Sequence, residues 1–251
     1  MAETPKLALD HVAKRFGSNQ VLRDVTLSVA PGESLAIIGG SGSGKSVMLK
    51  CILGLVEPDA GTIRVDGEDM TAMRAADRER IRTKFGMLFQ GGALFDSLPV
   101  WRNVTFSLTQ GRMLRKREMR DIARENLERV NLGGDVLDLY PAELSGGMQK
   151  RVALARAIAP RPEIIFFDEP TTGLDPIRAS VINDLIVELV EDLGVTAVTI
   201  THDMKSARRV AHRVAMLYEG EIIWTGPVDT LEDCGNPHVE RFVKGVAQPA
   251  E

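Results

Sequence analysis

Ser34-Leu35-Ala36-Ile37-Ile38 runs directly into Gly39-Gly40-Ser41-Gly42-Ser43-Gly44-Lys45-Ser46, and Val47-Met48-Leu49-Lys50-Cys51-Ile52 follows. An apolar run ahead of a glycine-rich turn predicts a buried strand, and the text at 47–55 predicts a helix. The turn matches G-x-x-x-x-G-K-[ST] and stands between strand and helix, as that motif requires. Its glycines let successive backbone N–H groups turn inward, and the helix N-terminus adds partial positive charge. Lys45 then reaches the β- and γ-phosphates, and the Ser46 hydroxyl suits Mg²⁺. The stretch predicts an α/β fold organised around a nucleotide phosphate site.

Working outward, short β-rich runs lie at 7–12 and 25–29, with Pro31-Gly32 turning the chain into 34–38. Beyond the helix, 62–65 reads as a strand ending at the hairpin dipeptide Asp66-Gly67, and 85–89 as another. From 96 to 144 the text becomes charged and helical: Met119, Ile122, Ala123, Leu127 and Val130 form one apolar stripe. Arg112, Arg115, Lys116, Arg117 and Arg120 beside it read as a solvated face, because acidic residues follow at once. Strand text returns at 164–167. An apolar helical face then runs through Val181, Ile182, Leu185, Ile186, Leu189, Val190 and Leu193, with a strand at 197–200, the pattern of a βαβ crossover. A hairpin at 214–218 and 221–225 turns at Glu219-Gly220. This predicts one domain over 1–246 with a helical insertion at about 96–144 and a loose tail at 247–251.

Composition excludes several classes. The chain has 251 residues, net charge −4, 44% hydrophobic and 26% charged residues, ordinary values for a folded soluble protein. Nothing in that balance suggests a nucleic-acid partner. No apolar run is long enough for a membrane span, and the first ten residues lack the basic and apolar regions of a secretory leader, so a cytosolic location is expected. Cys51 and Cys234, far apart, suggest neither a disulfide framework nor a zinc site.

A phosphate loop needs a metal-holding acid and a base for water. Ile164-Ile165-Phe166-Phe167-Asp168-Glu169 places two carboxylates at a strand's C-terminal end, Asp168 to orient Mg²⁺ and Glu169 to accept the proton of the attacking water. His202 follows the next strand; read by itself it is more readily structural. In Leu144-Ser145-Gly146-Gly147-Met148-Gln149, Ser145 suits a helix N-cap, and the paired glycines permit close approach to a second anion site. One phosphate loop with two anion sites suggests ATP shared between two copies of the chain.

In order and spacing these segments resemble the ATP-binding cassette of ABC transporters, from about Leu7 to Thr225. The resemblance implies a P-loop NTPase (RecA-like) core with an N-terminal antiparallel β-subdomain and an inserted helical subdomain, ATP and Mg²⁺ as cofactors, and a homodimer in the ATP-bound state. It further implies that Gly39, Gly40, Ser41, Gly42, Ser43, Gly44, Lys45, Ser46 and Val47 hold the nucleotide. Phe16, by itself a core aromatic, would stack on adenine, Gln90 would link Mg²⁺ to the helical subdomain, and His202 would meet the γ-phosphate. Ser145, Gly146 and Gly147 would reach the facing copy's nucleotide, with Asp175 at the seam. Met148 departs from the Gln common in the family. The contacting groups there are the Ser145 hydroxyl and backbone N–H groups, so activity is expected to survive.

Gln90-Gly91-Gly92-Ala93-Leu94-Phe95 is similar to the ATPases of Mla and Mce lipid transporters. That resemblance implies lipid movement between inner and outer membrane and a peripheral place on the inner membrane's cytoplasmic face. The implied partners are a polytopic permease, a periplasmic MCE-type subunit and a small cytosolic regulator. Leu94, Phe95, Leu98 and Trp101 are expected to form an apolar patch for the permease, packing within the helical subdomain being the alternative. Ribosome-acting and DNA-repair members are disfavoured: there is a single cassette, and only 100 residues without sustained heptads separate Lys45 from Ser145.

Overall fold

In the computed structural model, which describes residues 4–109 and 113–245, the chain divides into two units, Met1–Arg82 with Thr196–Glu251, and Thr83–Val195. The tail expected at 247–251 and Arg112 lie outside the described residues.

The first unit opens with β1 (Leu7–Phe16), β2 (Asn19–Val29) and β3 (Ser34–Ile38). Leu7, Leu9 and Val12 of β1 are buried, and the alternation slips by one because His11 sits at φ 51 in a bulge against β2. All five residues of β3 are buried, the mark of a strand covered on both faces. Helix α1 (Lys45–Ile52) follows the glycine loop, starting two residues before the apolar text. β4 (Ala60–Val65) and β5 (Glu68–Asp69) close the predicted hairpin, Asp66 and Gly67 at φ 52 and 80 making the two-residue turn. β1 pairs antiparallel with β2 and β4, forming the expected antiparallel β-subdomain. α2 (Ala75–Arg82), which buries only Ile81, completes this stretch and gave no periodic signal in the sequence.

The second unit contains β6 (Phe85–Leu88), α3 (Val100–Thr105), α4 (Lys116–Arg129), α5 (Gly146–Ile158), β7 (Ile164–Asp168) and α6 (Pro176–Leu193). β6 and β7 pair in parallel, Phe85 opposite Ile164. Between 96 and 144 the described residues form helices and turns without a strand. α4 buries Ala123 and Leu127 of the predicted stripe, and its Arg120 pairs with Asp138 in the solvated manner expected. α6 has clear stop signals: Asp175 caps it, Pro176 occupies its first position, and Gly194 ends it at φ 61.

The chain returns to the first unit through β8 (Thr196–Ile200), α7 (Met204–Val210), β9 (Arg213–Tyr218), β10 (Glu221–Pro227) and α8 (Pro237–Lys244). β3 lies in parallel between β8 and β9, Ile37 opposite both Ile200 and Ala215. The strand order in this unit is β5-β4-β1-β2-β10-β9-β3-β8, so the fully buried β3 delivers the glycine loop to the C-terminal edge of the parallel strands. Among the described residues no helix is long and apolar enough to cross a membrane.

Candidate functional site

The glycine loop is shaped by what surrounds it. Gly39, at φ 155, has no room for a side chain, since a Cβ would overlap the Leu217 carbonyl of β9. Gly44, at φ 107, would place a Cβ 2.8 Å from the Leu22 side chain of β2. Those two positions require glycine for lack of room and Gly42 for its φ of 80, while nothing lies within 4 Å of a Cβ placed at Gly40 or Gly42. Lys45 Nζ donates to the Gly39 carbonyl at 2.7 Å, the Gly40 carbonyl at 2.8 Å and Ser43 Oγ at 3.4 Å, which folds the ammonium into the concavity of the loop. Gly44 caps α1 without any side chain covering the first N–H groups, and Ser46 in the first turn is exposed. Ser41 is exposed, and Ser43 and Val47 are half-buried. This is a cradle for an anion with a cation inside it.

The same unit places two further candidates. His202 follows β8 and is exposed at the edge where β3 ends, because Thr201 N–H donates to the Ile37 carbonyl at 3.2 Å. Asp203 next to it caps α7, accepting from Lys205 N, Ser206 N and Ser206 Oγ. Burial pushes that carboxyl up, yet those hydrogen bonds and His202 outweigh it and hold it below the usual range. Phe16 is 49% exposed at the end of β1, with Lys14 Nζ 5.4 Å from its ring centroid, so it is not a core residue.

The second unit carries the acids. Ile164 to Phe167 are buried, and Asp168 and Glu169 emerge half-buried at the end of β7. Glu169 adopts φ 48, unusual for a side-chain-bearing residue, and the Thr172 hydroxyl donates to its Oε2 at 3.3 Å. Lys150 of α5 is only 7% exposed and donates to the Gln90 carbonyl. Burial lowers its pKa, opposed by the charges of Asp168 and Glu169. Gln90 itself is exposed just past β6.

Ser145 caps α5, its Oγ accepting from Met148 N–H at 3.3 Å, so the helix begins at Gly146, directly after the residue expected to cap it. Nothing would touch a Cβ at Gly146 or Gly147, and Gln149 is turned back to hold the Pro141 and Leu144 carbonyls. Ser145 and Gly146 stand exposed at this helix start. Asp175 accepts from Arg178 N–H at 3.0 Å and Ile177 N–H at 3.1 Å, and the Arg178 amide leads in holding its carboxyl below the usual value.

The apolar patch needs correction. Trp101 is 5% exposed within α3, since the helix is sunk against α4 and α5, and it offers no contact surface. Leu94 and Leu98 are half-buried, and Phe95 remains 40% exposed, its ring 4.3 Å from that of Phe106. Buried Asn103 sets Phe95 in place by bonding its N–H and carbonyl and the Leu98 carbonyl. Lys150, Asn103 and Arg156 were missed in the sequence. A lysine beside polar text carries no signal that it will be buried, and Arg156 stands half-buried in the apolar run 152–158, where nothing marks the carbonyls it holds.

Cys51 is buried and its thiol is pushed up to about 11, which makes it inert, and no group of three or more His, Cys, Asp or Glu among the described residues could hold a metal. The oxygen donors Ser46, Gln90 and Asp168 are chemically suited to Mg²⁺, a hard cation that binds few protein ligands and keeps water or phosphate for the rest.

The chain is similar to known proteins over most of its length. The family model described as "ABC transporter" matches residues 22–172. The "Probable ribonucleotide transport ATP-binding protein mkl" of Mycobacterium leprae is 41% identical over 93% of this chain, and the chain spans about two thirds of the length of the mycobacterial relatives (67% of this one). The "Intermembrane phospholipid transport system ATP-binding protein MlaF" of Escherichia coli K12 is 39% identical over 92% of this chain and 86% of that protein. The solved "Dimeric structure of a post-hydrolysis state of the ATP-binding cassette MJ0796 bound to ADP and Pi" aligns with a TM-score of 0.80 and 34% identity over 88% of this chain and 98% of its own.

Proposed function

The chain belongs to the ABC transporter family as one of its ATPases, and from that premise we propose that it drives a membrane permease moving phospholipid or a related apolar lipid between inner and outer membrane. In this reading the N–H groups at 39–47 and the Lys45 ammonium bind the ATP phosphates, and exposed Phe16 stacks on adenine. Mg²⁺, when bound through Ser46, Asp168 and Gln90, supplies neutralisation of the phosphate charge. Glu169 accepts the proton of the attacking water, its carboxylate aimed by Thr172, and His202 contacts the γ-phosphate. Ser145, Gly146 and Gly147 present the capped N-terminus of α5 to the nucleotide of a second copy, with Asp175 at the seam.

The single observation that carries the lipid cargo is the 39% identity over 92% of this chain to a protein named for intermembrane phospholipid transport. The similar segment Ala93-Leu94-Phe95 beside Gln90 supports it, with Phe95 as the exposed anchor for the permease. A permease, a periplasmic MCE-type subunit and a small cytosolic regulator complete the proposed assembly on the inner membrane's cytoplasmic face. The test is copurification with the permease followed by phospholipid transfer between reconstituted vesicles. Wild type is expected to transfer labelled phospholipid with ATP. Phe95→Asp is expected to bind ATP normally while losing most assembly and transfer, since removing a buried aromatic anchor commonly costs about 2 kcal/mol or more. Transport of an amino acid or nucleotide in place of phospholipid overturns the lipid reading, and normal assembly of Phe95→Asp removes the anchor.

A further inference from the structure

The segment after β6 is laid along one side of α5. Lys150 donates to the Gln90 carbonyl, and six residues further on Arg156 donates to the Gly92 and Ala93 carbonyls, each at 2.6 Å. Six residues are about 9 Å of helix, so two cations of one helix grip both ends of residues 90–93. The backbone bends to meet them: Gly92 adopts φ 75 and Ala93 φ 48, which brings two successive carbonyls to a single guanidinium. A left-handed alanine is an unfavourable conformation kept only where its surroundings over-determine it. α5 is also the helix whose N-terminus is capped by Ser145, and the Lys150 ammonium feels Asp168 and Glu169. A buried ammonium is costly to desolvate and is retained where its bonds hold something in place.

We infer that Lys150 is a positioning residue for hydrolysis: it locks the Gln90 loop to the helix bearing Ser145-Gly146-Gly147, so that loop and helix move as one piece. Arg156 is the second grip of the same lock. Gln90 answers to the nucleotide on its own copy and Ser145 to that of the facing copy, so the lock joins the two responses. The kinetic arm of the test rests on the ATPase reading above, and the exchange arm stands without it.

In the full chain, amide hydrogen exchange at 90–93 and steady-state hydrolysis of Mg-ATP are measured for wild type, Lys150→Met and Lys150→Gln, the last keeping an N–H donor without the charge. Lys150→Met is expected to speed exchange at 90–93 at least about tenfold and to cut kcat about tenfold with KM for ATP within about twofold. Lys150→Gln is expected to stay within about threefold of wild type in both readouts. In a Gln90→Ala background, Lys150→Met should remove no more than about twofold further, because it acts through that loop. Unchanged exchange in a folded Lys150→Met overturns the inference. So does a Gln variant as impaired as Met, which assigns the effect to charge beside Asp168 and Glu169, or an undiminished tenfold loss in the Gln90→Ala background. If Lys150→Met does not fold, the Gln variant decides by the same limits. If wild type hydrolyses no ATP, the ATPase reading fails and the exchange arm still tests the lock.

Discussion

If, as proposed, Lys45 binds the ATP phosphates and Glu169 is the base, substitutions separate the two roles. Lys45 is an ammonium already turned into the phosphate loop, so Lys45→Ala removes the charge that the loop's backbone dipoles were arranged to assist. A charged hydrogen bond is worth about 1.5–3 kcal/mol, which predicts ATP affinity weakened roughly tenfold to a hundredfold. Glu169→Gln keeps the shape and the Thr172 contact while removing the base, so binding should persist as turnover falls on the order of 10²-fold or more. Nucleotide titration and phosphate-release measurements on both variants check the division. Near-normal turnover in Glu169→Gln would take that residue out of the role of base.

Among the elements, the strands that carry the loop are anchored at their far ends. Glu33, just before β3, accepts from Arg213 at the start of β9 through two bonds, Nε to Oε1 at 2.5 Å and Nη2 to Oε2 at 3.0 Å. Arg213 also donates to the Ser28 carbonyl and to Thr225 Oγ1, which adds β2 and β10 to the joint. Burial raises the Glu33 carboxyl's pKa, but Arg213 and the Ala30 N–H more than offset it, and the net direction is downward. A carboxyl depressed in the folded state stabilises above its unfolded pKa of about 4.3, and that stability is lost as pH falls through the folded value. Glu33→Gln is therefore expected to lower the melting temperature at pH 7 by a few degrees, about 1–2 kcal/mol after allowing for solvent screening. The difference from wild type should close below about pH 4, as read by thermal unfolding across pH. A gap independent of pH would mean that packing, not charge, holds the joint.

For the molecule as a unit of assembly, the proposed reading pairs the phosphate loop of one copy with the Ser145-Gly146-Gly147 cap of a second to complete each nucleotide site. Glu169→Gln, unable to hydrolyse, should accumulate as a dimer with Mg-ATP, and adding Ser145→Arg should abolish it by placing a guanidinium where the cap must approach. Light scattering with and without nucleotide reads the mass directly. A Glu169→Gln chain that stays monomeric at saturating ATP, with its permease present, would remove the shared-site arrangement.

The phosphate loop, the Ser145 cap, the acid pair at the end of β7 and the hairpins at Asp66-Gly67 and Glu219-Gly220 were all legible in the sequence, whereas the Asp175 cap was not. Each is a device of a few contiguous residues whose chemistry is local: glycine torsions, a side-chain oxygen capping the next turn, carboxylates at the end of an apolar run. Burial was not legible in the same way. Phe16 reads as core and is half exposed, Trp101 reads as surface and is buried, and Lys150 carries no mark of burial along the chain and is enclosed. Glu33 and Arg213 are 180 residues apart, and nothing along the chain marks them as partners. Residue type and spacing decide local backbone form and the chemistry a segment offers, whereas which side chains lose contact with water depends on surfaces brought from distant parts of the chain. Only the tertiary structure supplies those surfaces.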